Sequence, residues 1–342
     1  MTRRRTLRTP EDLAAAGLIA PTDIAGVAKV AARYQVALPP ALAAAIDRAD
    51  PADPLTRQFV PDPRELEGAA DERADPIGDA AHSPRKGIVH RYPDRVLLTP
   101  LLSCPVYCRY CFRRARVGRE KALTQEELAR ALDYVRSRPE VWEVILSGGD
   151  PLLLPPSRLK ALIRALEEIP HVRVVRIHSR LPIAEPARVT AALVDALSSD
   201  KALWLAIHAN HSREFTAAAR AACRRLSAAG IPLLGQTVLL KGVNDDAAAL
   251  EALLRTMVES RIKPYYLHHL DTAPGTAHFR TGIAAGQALM RALRGRLSGL
   301  CQPTYVLDIP GGHGKAPVGP SYLEGEAVTD WRGARHPLGG GQ

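Results

Sequence analysis

The sequence predicts an α/β fold: a parallel β-sheet with helices packed outside it. Three observations carry that prediction. From Val96 onward, short apolar runs alternate with amphipathic stretches: VLLTPL (96–101), WEVILSGG (142–149), VRVVRIHSR (172–180), ALWLAIHAN (202–210), IPLLGQTVLL (231–240) and IKPYYLHHL (262–270). The runs are near-continuously apolar rather than alternating, as strands covered on both faces are. Polar residues gather at their C-terminal ends, as SGGD, IHSR, IHAN, GQT and HHLD, and parallel α/β folds bind ligands outside those ends.

Residues 1–89 read as a helical and loop extension, with Ala- and Leu-rich segments interrupted by proline. The stretch from Pro51 to Lys86 is polar, has weak periodicity and is expected to wrap over something larger. Six strand–helix units in series then argue for the parallel sheet. One helix opens at Thr124 with Glu127 three residues on, the capping-box spacing. Another carries Leu159, Leu162, Ile163 and Leu166 on one face. A seventh run, TYVLDIP (304–310), ends in PGGHGK. The polar, Gly-rich residues 323–342 are expected to form a loose tail, leaving 90–322 as the core.

At 342 residues, 46% hydrophobic and 24% charged, the chain matches a soluble globular protein with a large core. No apolar run approaches the roughly 20 residues of a membrane span, so no membrane partner is expected. The N-terminal MTRRRTLRTPEDLAAAGLIA is basic, but its apolar stretch is short and follows Glu11 and Asp12; it reads as an arm and a helix. A net charge of +10 favours anionic ligands. Only 5% of residues are aromatic and no aromatic-interleaved basic stripe exists, which argues against a single-strand binder; no nucleic-acid partner is expected. Five cysteines, three of them clustered, do not make a disulfide framework, and a reducing cytoplasm is the expected location. Cys223 and Cys301 read as buried small residues.

The cluster is SCPVYCRYCFRR, with Cys104, Cys108 and Cys111 spaced C-x3-C-x2-C just after the first strand. A structural zinc site closes with four protein ligands; no fourth cysteine is near, and His90 stands 14 residues before the first. Three thiolates on a loop suit an iron–sulfur cluster with one iron left open. Zinc with a distant histidine, and plain structural thiols, are the alternatives.

This spacing, followed by SGGDP (147–151) at the end of the second strand, resembles the radical S-adenosylmethionine (radical SAM) enzymes. The resemblance implies an incomplete (β/α)6 parallel barrel with the N-terminal helical extension. It also implies a [4Fe–4S] cluster on the three cysteines and S-adenosylmethionine bound with the help of Gly148, Gly149 and Asp150. CRYCFRR, HRYPDRVLL (90–98) and DIPGGHGK (308–315) together resemble lysine 2,3-aminomutase and its relatives, from about Pro51 to about Tyr322. That family adds pyridoxal 5′-phosphate (PLP). By this resemblance Lys315 carries the PLP, and Arg91 and Arg95 bind its phosphate. Arg113 takes the substrate carboxylate, although the sequence does not separate it from Arg114. Asp271 and Asp308 clamp the ε-ammonium, and His208 and Gln236 lie near the adenosyl group. The implied substrate is free L-lysine, the product β-lysine, and the electron donor a flavodoxin or ferredoxin; a homo-oligomer is one arrangement left open.

Departures from the family pattern are His313, where the aminomutases have glycine, and a shorter chain without their cysteine-rich C-terminal extension, so no structural zinc is expected. The related enzymes that make (R)-β-lysine for elongation factor P differ at the second aspartate and in the glycine run. Asp308 and PGGHGK therefore favour the aminomutases proper, with an enzyme supplying (R)-β-lysine for elongation factor P modification as the alternative. Relatives acting on other amino acids are a further alternative, with the aspartate pair arguing against glutamate. Radical SAM chemistry without PLP, or a scaffold that has lost it, would leave Lys315 and the arginines unexplained.

Overall fold

The computed structural model describes residues 5–338; the outermost parts of the expected extension and tail, 1–4 and 339–342, lie outside these. The extension holds four short helices, α1 (Pro10–Ala15), α2 (Ile24–Arg33), α3 (Pro40–Ala45) and α4 (Pro54–Phe59). Proline opens three of them, where its missing N–H costs nothing. Thr9 and Asp12 form a capping box on α1. Helices this short are not stable alone. Burial holds them: Leu13, Leu38, Leu42, Leu55 and Phe59 pack into one cluster with Val106 of the cysteine loop and Ala184. The extension and the cysteine loop thus share a core.

A nine-stranded sheet follows in strict chain order. Its strands are β1 (Ile88–Tyr92), β2 (Arg95–Leu101), β3 (Glu143–Gly148), β4 (Val174–Ser179), β5 (Ala202–His208), β6 (Leu233–Val238), β7 (Ile262–His268), β8 (Thr304–Ile309) and β9 (Gly314–Pro317). Strands β2 to β8 are parallel, and they are the seven runs read from the sequence. Crossing between them are α5 (Gln125–Arg136), α6 (Pro156–Glu167), α7 (Leu181–Ala184) with α8 (Ala191–Ala196), α9 (Ala217–Ala228), α10 (Ala247–Glu259) and α11 (Ile283–Leu293). The fold is the incomplete (β/α)6 barrel. Thr124 and Glu127 cap α5 reciprocally, and the four apolar residues of α6 are all buried.

The strands depart from the sequence reading in one respect: their two faces differ. Val175 and Ile177 of β4 join the main core with the outer helices, while Arg176 and His178, alternating with them, line a cavity inside the barrel. Leu205 and Ile207 of β5 alternate in the same way with His208. Inward strand positions can carry polar side chains because the barrel encloses a cavity instead of stacked side-chain layers.

β1 and β9 are antiparallel edges that the apolar pattern did not mark. No ladder joins them. Side chains close the seam instead: the Lys315 N–H donates to the Tyr92 hydroxyl at 2.6 Å, and the Arg91 guanidinium lies 3.9 Å from the Asp308 carboxylate. The expected loose tail is partly ordered, as a small antiparallel meander of β10 (Leu323–Glu324), β11 (Ala327–Thr329) and β12 (Arg335–Pro337). Among the described residues no helix is long and apolar enough to cross a membrane.

Candidate active site

The cavity inside the barrel has a volume of about 760 Å³, toward the upper end of the roughly 300–1,000 Å³ common for small-molecule sites. It runs from the cysteine loop at the C-terminal strand ends to Arg95 and Trp142 at the opposite end. Every candidate site residue read from the sequence lines it: Cys104, Cys108, Cys111, Arg91, Arg95, Arg113, Gly148, Gly149, Asp150, His208, Gln236, Asp271, Asp308 and Lys315.

The three cysteines leave the sheet on the loop after β2. Burial pushes the Cys104 thiol well above its usual range and that of Cys111 to about 11. Such thiols need a bound metal to persist as thiolates. Among the described residues no three His, Cys, Asp or Glu side chains converge on the position of a single ion. His90 is hydrogen-bonded to Tyr134 at 2.8 Å and does not line the cavity that the cysteines line. Three thiols lining one cavity suit a cluster that leaves one iron open. Cys223 and Cys301 are buried in the apolar core.

Gly148 and Gly149 are required by the loop itself. A side chain on Gly149 would meet the Ser103 carbonyl oxygen at 2.2 Å, and Gly148 has φ +103°. The strand end is stitched to the loop by the Gly149 and Asp150 N–H groups, which donate to Leu101 and Ser103 at 2.9 and 2.8 Å. The Asp150 carboxylate accepts from the Ser179 hydroxyl and from the N–H groups of Leu152, Arg180 and Leu181. Burial still lifts its pKa to about 6. The side chain of Asp150 is thus spent on tying β3 to the end of β4.

The two arginines after Cys111 point apart. Arg114 is fully buried, lies 3.6 Å from the centre of the Tyr34 ring and binds Glu65. Arg109 forms two hydrogen bonds to the same carboxylate, at 2.6 and 2.8 Å. Arg113 alone enters the cavity. Its Nε and Nη2 donate to Asp79 at 3.1 and 2.7 Å, and Asp79 also accepts from Arg91 at 3.1 Å. Asp79 therefore joins the arginine expected to meet the substrate carboxylate with one expected to meet the PLP phosphate. Nothing in the weakly patterned run around it marked it. Arg95 lies across the Tyr92 ring at 3.8 Å and pairs with Asp94 at 2.6 Å.

Lys315 faces Asp308 across the β8–β9 hairpin, and its Nζ donates to both carboxylate oxygens at 2.6 and 2.7 Å. The hairpin turns through Gly311 and Gly312 at φ +90° and +87°, a left-handed bend that glycine makes without strain. His313 is exposed and lies outside the cavity lining, a turn residue. Burial pushes Asp308 up, but His268 at 3.7 Å and the Lys315 ammonium outweigh it and hold the carboxyl at about 2. Asp271 has no such partner; burial and the Asp308 charge lift it to about 7.

His208 and Gln236 are register partners on β5 and β6. Burial drops His208 to about 3, leaving a neutral ring beside His178 with centroids 5.7 Å apart. Gln236 Oε1, His178 Nε2 and Arg91 Nε are buried without hydrogen-bond partners. Orphaned polar atoms lining one cavity call for a polar ligand.

The Asp271 shift has a measurable consequence. An unfolded aspartate ionises near 3.8, so the protonated buried form contributes its full stability below that pH. The contribution is lost as pH rises to about 7, each pH unit being worth about 1.4 kcal/mol. Asp271→Asn is expected to flatten this stretch of the stability–pH profile, measured by urea unfolding; an unchanged slope would refute the assignment.

A family model described as the radical SAM superfamily matches residues 98–254, and one described as lysine-2,3-aminomutase matches residues 290–329. The L-lysine 2,3-aminomutase of Acetoanaerobium sticklandii is 41% identical over 321 residues, covering 94% of this chain and 78% of that one. The L-lysine 2,3-aminomutase of Clostridium subterminale is 41% identical over 321 residues, covering 94% and 77%. The glutamate 2,3-aminomutase of Clostridioides difficile is 35% identical over 302 residues, covering 87% and 70%.

Proposed function

Because this chain belongs to the lysine 2,3-aminomutase family of radical SAM enzymes, we propose that it is the isomerase that converts L-lysine into β-lysine, moving the amino group from C2 to C3. A single observation carries the choice of substrate. Asp271 and Asp308 stand with Lys315 in the cavity that the three cysteines line. Two carboxylates suit a substrate with a distal ammonium and oppose one with a distal carboxylate, so glutamate fits less well.

Cys104, Cys108 and Cys111 would hold the [4Fe–4S] cluster, Gly148 and Gly149 the methionine end of S-adenosylmethionine, and Lys315 the PLP. When bound, the cluster and S-adenosylmethionine supply a 5′-deoxyadenosyl radical, and PLP supplies the carbonyl that takes the migrating amine. The chain's own residues then orient and shield. Arg113 keeps its Nη1 for the substrate carboxylate while Asp79 holds Nε and Nη2. Arg91 and Arg95 offer guanidinium donors to a phosphate. PLP held by Lys315 would relieve Asp308 of its ammonium partner, leaving that carboxylate for the substrate ε-ammonium, and Asp271 would complete the pair. The neutral rings of His178 and His208 and the amide of Gln236 line the wall without adding charge. A flavodoxin or ferredoxin is the electron donor this reading calls for.

The test is anaerobic. The protein is reconstituted with iron, sulfide and PLP, reduced, given S-adenosylmethionine and L-lysine, and assayed for β-lysine by chiral chromatography. Formation of β-lysine is expected. Formation of 5′-deoxyadenosine with lysine untouched would remove lysine as substrate. Asp308→Asn is expected to raise the lysine KM by about 30-fold or more, since truncating one partner of a buried charge pair costs about 2–5 kcal/mol. Its iron content should stay at the wild-type level; a parallel loss of iron would contradict the role.

A further inference from the structure

Arg180 closes the polar strand end IHSR, and the reading above gives it no role. It stands one residue past the end of β4 and is buried. Its Nη1 lies 3.5 Å from the Cys108 sulfur and also donates to the Tyr110 hydroxyl. Its Nη2 donates to Gln58 at 3.2 Å and to the Glu214 carboxylate. The guanidinium stacks over Phe59 and Tyr110, at 4.9 and 5.8 Å from the ring centres. Its backbone N–H is fixed by Asp150 at 2.8 Å. Groups from α4, the cysteine loop, the β3 end and the turn before α9 therefore hold this cation against one thiol.

We infer that Arg180 sets the reduction potential of the cluster by donating a hydrogen bond to the Cys108 sulfur and fixing a positive charge beside it. This rests on the reading of Cys108 as a cluster ligand. One-electron reduction adds a single negative charge to the cluster; no bond forms or breaks, and the electron comes from an external one-electron donor. A buried cation favours the more negative state, and an N–H···S bond draws electron density from the ligand, so both raise the potential. Glu214 opposes this by neutralising part of the charge. Arg180 is a positioning residue for the cluster, acting through Cys108.

The test compares Arg180→Gln, Arg180→Lys and Glu214→Gln with the wild type after anaerobic reconstitution. Iron and sulfide are counted, and the reduced cluster is titrated by electron paramagnetic resonance with dithionite against redox mediators. Arg180→Gln is expected to keep the cluster but to show about a tenfold lower reduced-to-oxidised ratio at a given solution potential, a shift of about 59 mV for one electron. Arg180→Lys should stay near the wild type, and Glu214→Gln should shift the opposite way. A bracing role alone would lower the melting temperature or the cluster yield without moving the potential; an unmoved potential in Arg180→Gln overturns the inference. Should that variant not fold, Glu214→Gln decides, and no positive shift there overturns it equally. A full cluster in Cys108→Ala would instead remove the cluster reading, and this inference with it.

Discussion

Lys315→Ala is expected to abolish β-lysine formation, by roughly a thousandfold or more, the order lost when a residue that forms a covalent link is removed. The visible absorption that PLP gains when linked to a lysine should vanish with it, while iron content stays. Alanine also strips Asp308 of its ammonium partner, so a loss of activity alone would be ambiguous. Lys315→Arg resolves this. Arginine can keep an ion pair with Asp308, which Lys315 now contacts at 2.6 and 2.7 Å, but it cannot form the covalent bond. The arginine variant should recover thermal stability without recovering the PLP absorption or turnover. Turnover in Lys315→Arg near the wild-type rate would show that the lysine is structural.

Glu65→Gln is expected to cost about 3–5 kcal/mol, because it leaves two buried guanidiniums without their anion. Glu65, Arg109 and Arg114 are all essentially inaccessible to solvent, and together they pin the extension to the cysteine loop. The midpoint of urea unfolding should fall, and cluster yield should fall with it as the loop loosens. Replacing all three charges, as Glu65→Leu with Arg109→Met and Arg114→Leu, should cost less than Glu65→Gln alone, since the main penalty is the unpaired charge. If the triple variant is the less stable, the pairing and not the desolvation dominates.

The parallel strands were legible because each sets an apolar face against the helices, and VILSGG or LAIHAN shows this in a few residues. The cysteines and the glycines after β3 were legible because their spacing leaves few chemical uses. The edge strands were not: IVHRY has only two aliphatic residues and GKAP is short and carries no apolar pattern, and only their pairing makes them strands. Nor could the sequence say which charges meet. Asp79 and Arg113 lie 34 residues apart, Glu65 and Arg109 lie 44 apart, and Gln58 and Arg180 lie 122 apart. Adjacent Arg113 and Arg114 look alike in the sequence, yet one lines the cavity and the other braces the extension. The tail failed for a related reason, since the β10–β12 meander is mostly exposed and carries no apolar pattern.

The seam between β1 and β9 gives the barrel something a closed cylinder lacks, a slit along its wall. Lys315 sits on one lip and Arg91 on the other, with Tyr92 as the latch. A molecule gripped from both lips acts as a rivet, and its binding energy goes into keeping the wall shut. Amide exchange in β1 and β9 should then slow together when such a molecule is added, while the strands on the far side of the barrel keep their own pace.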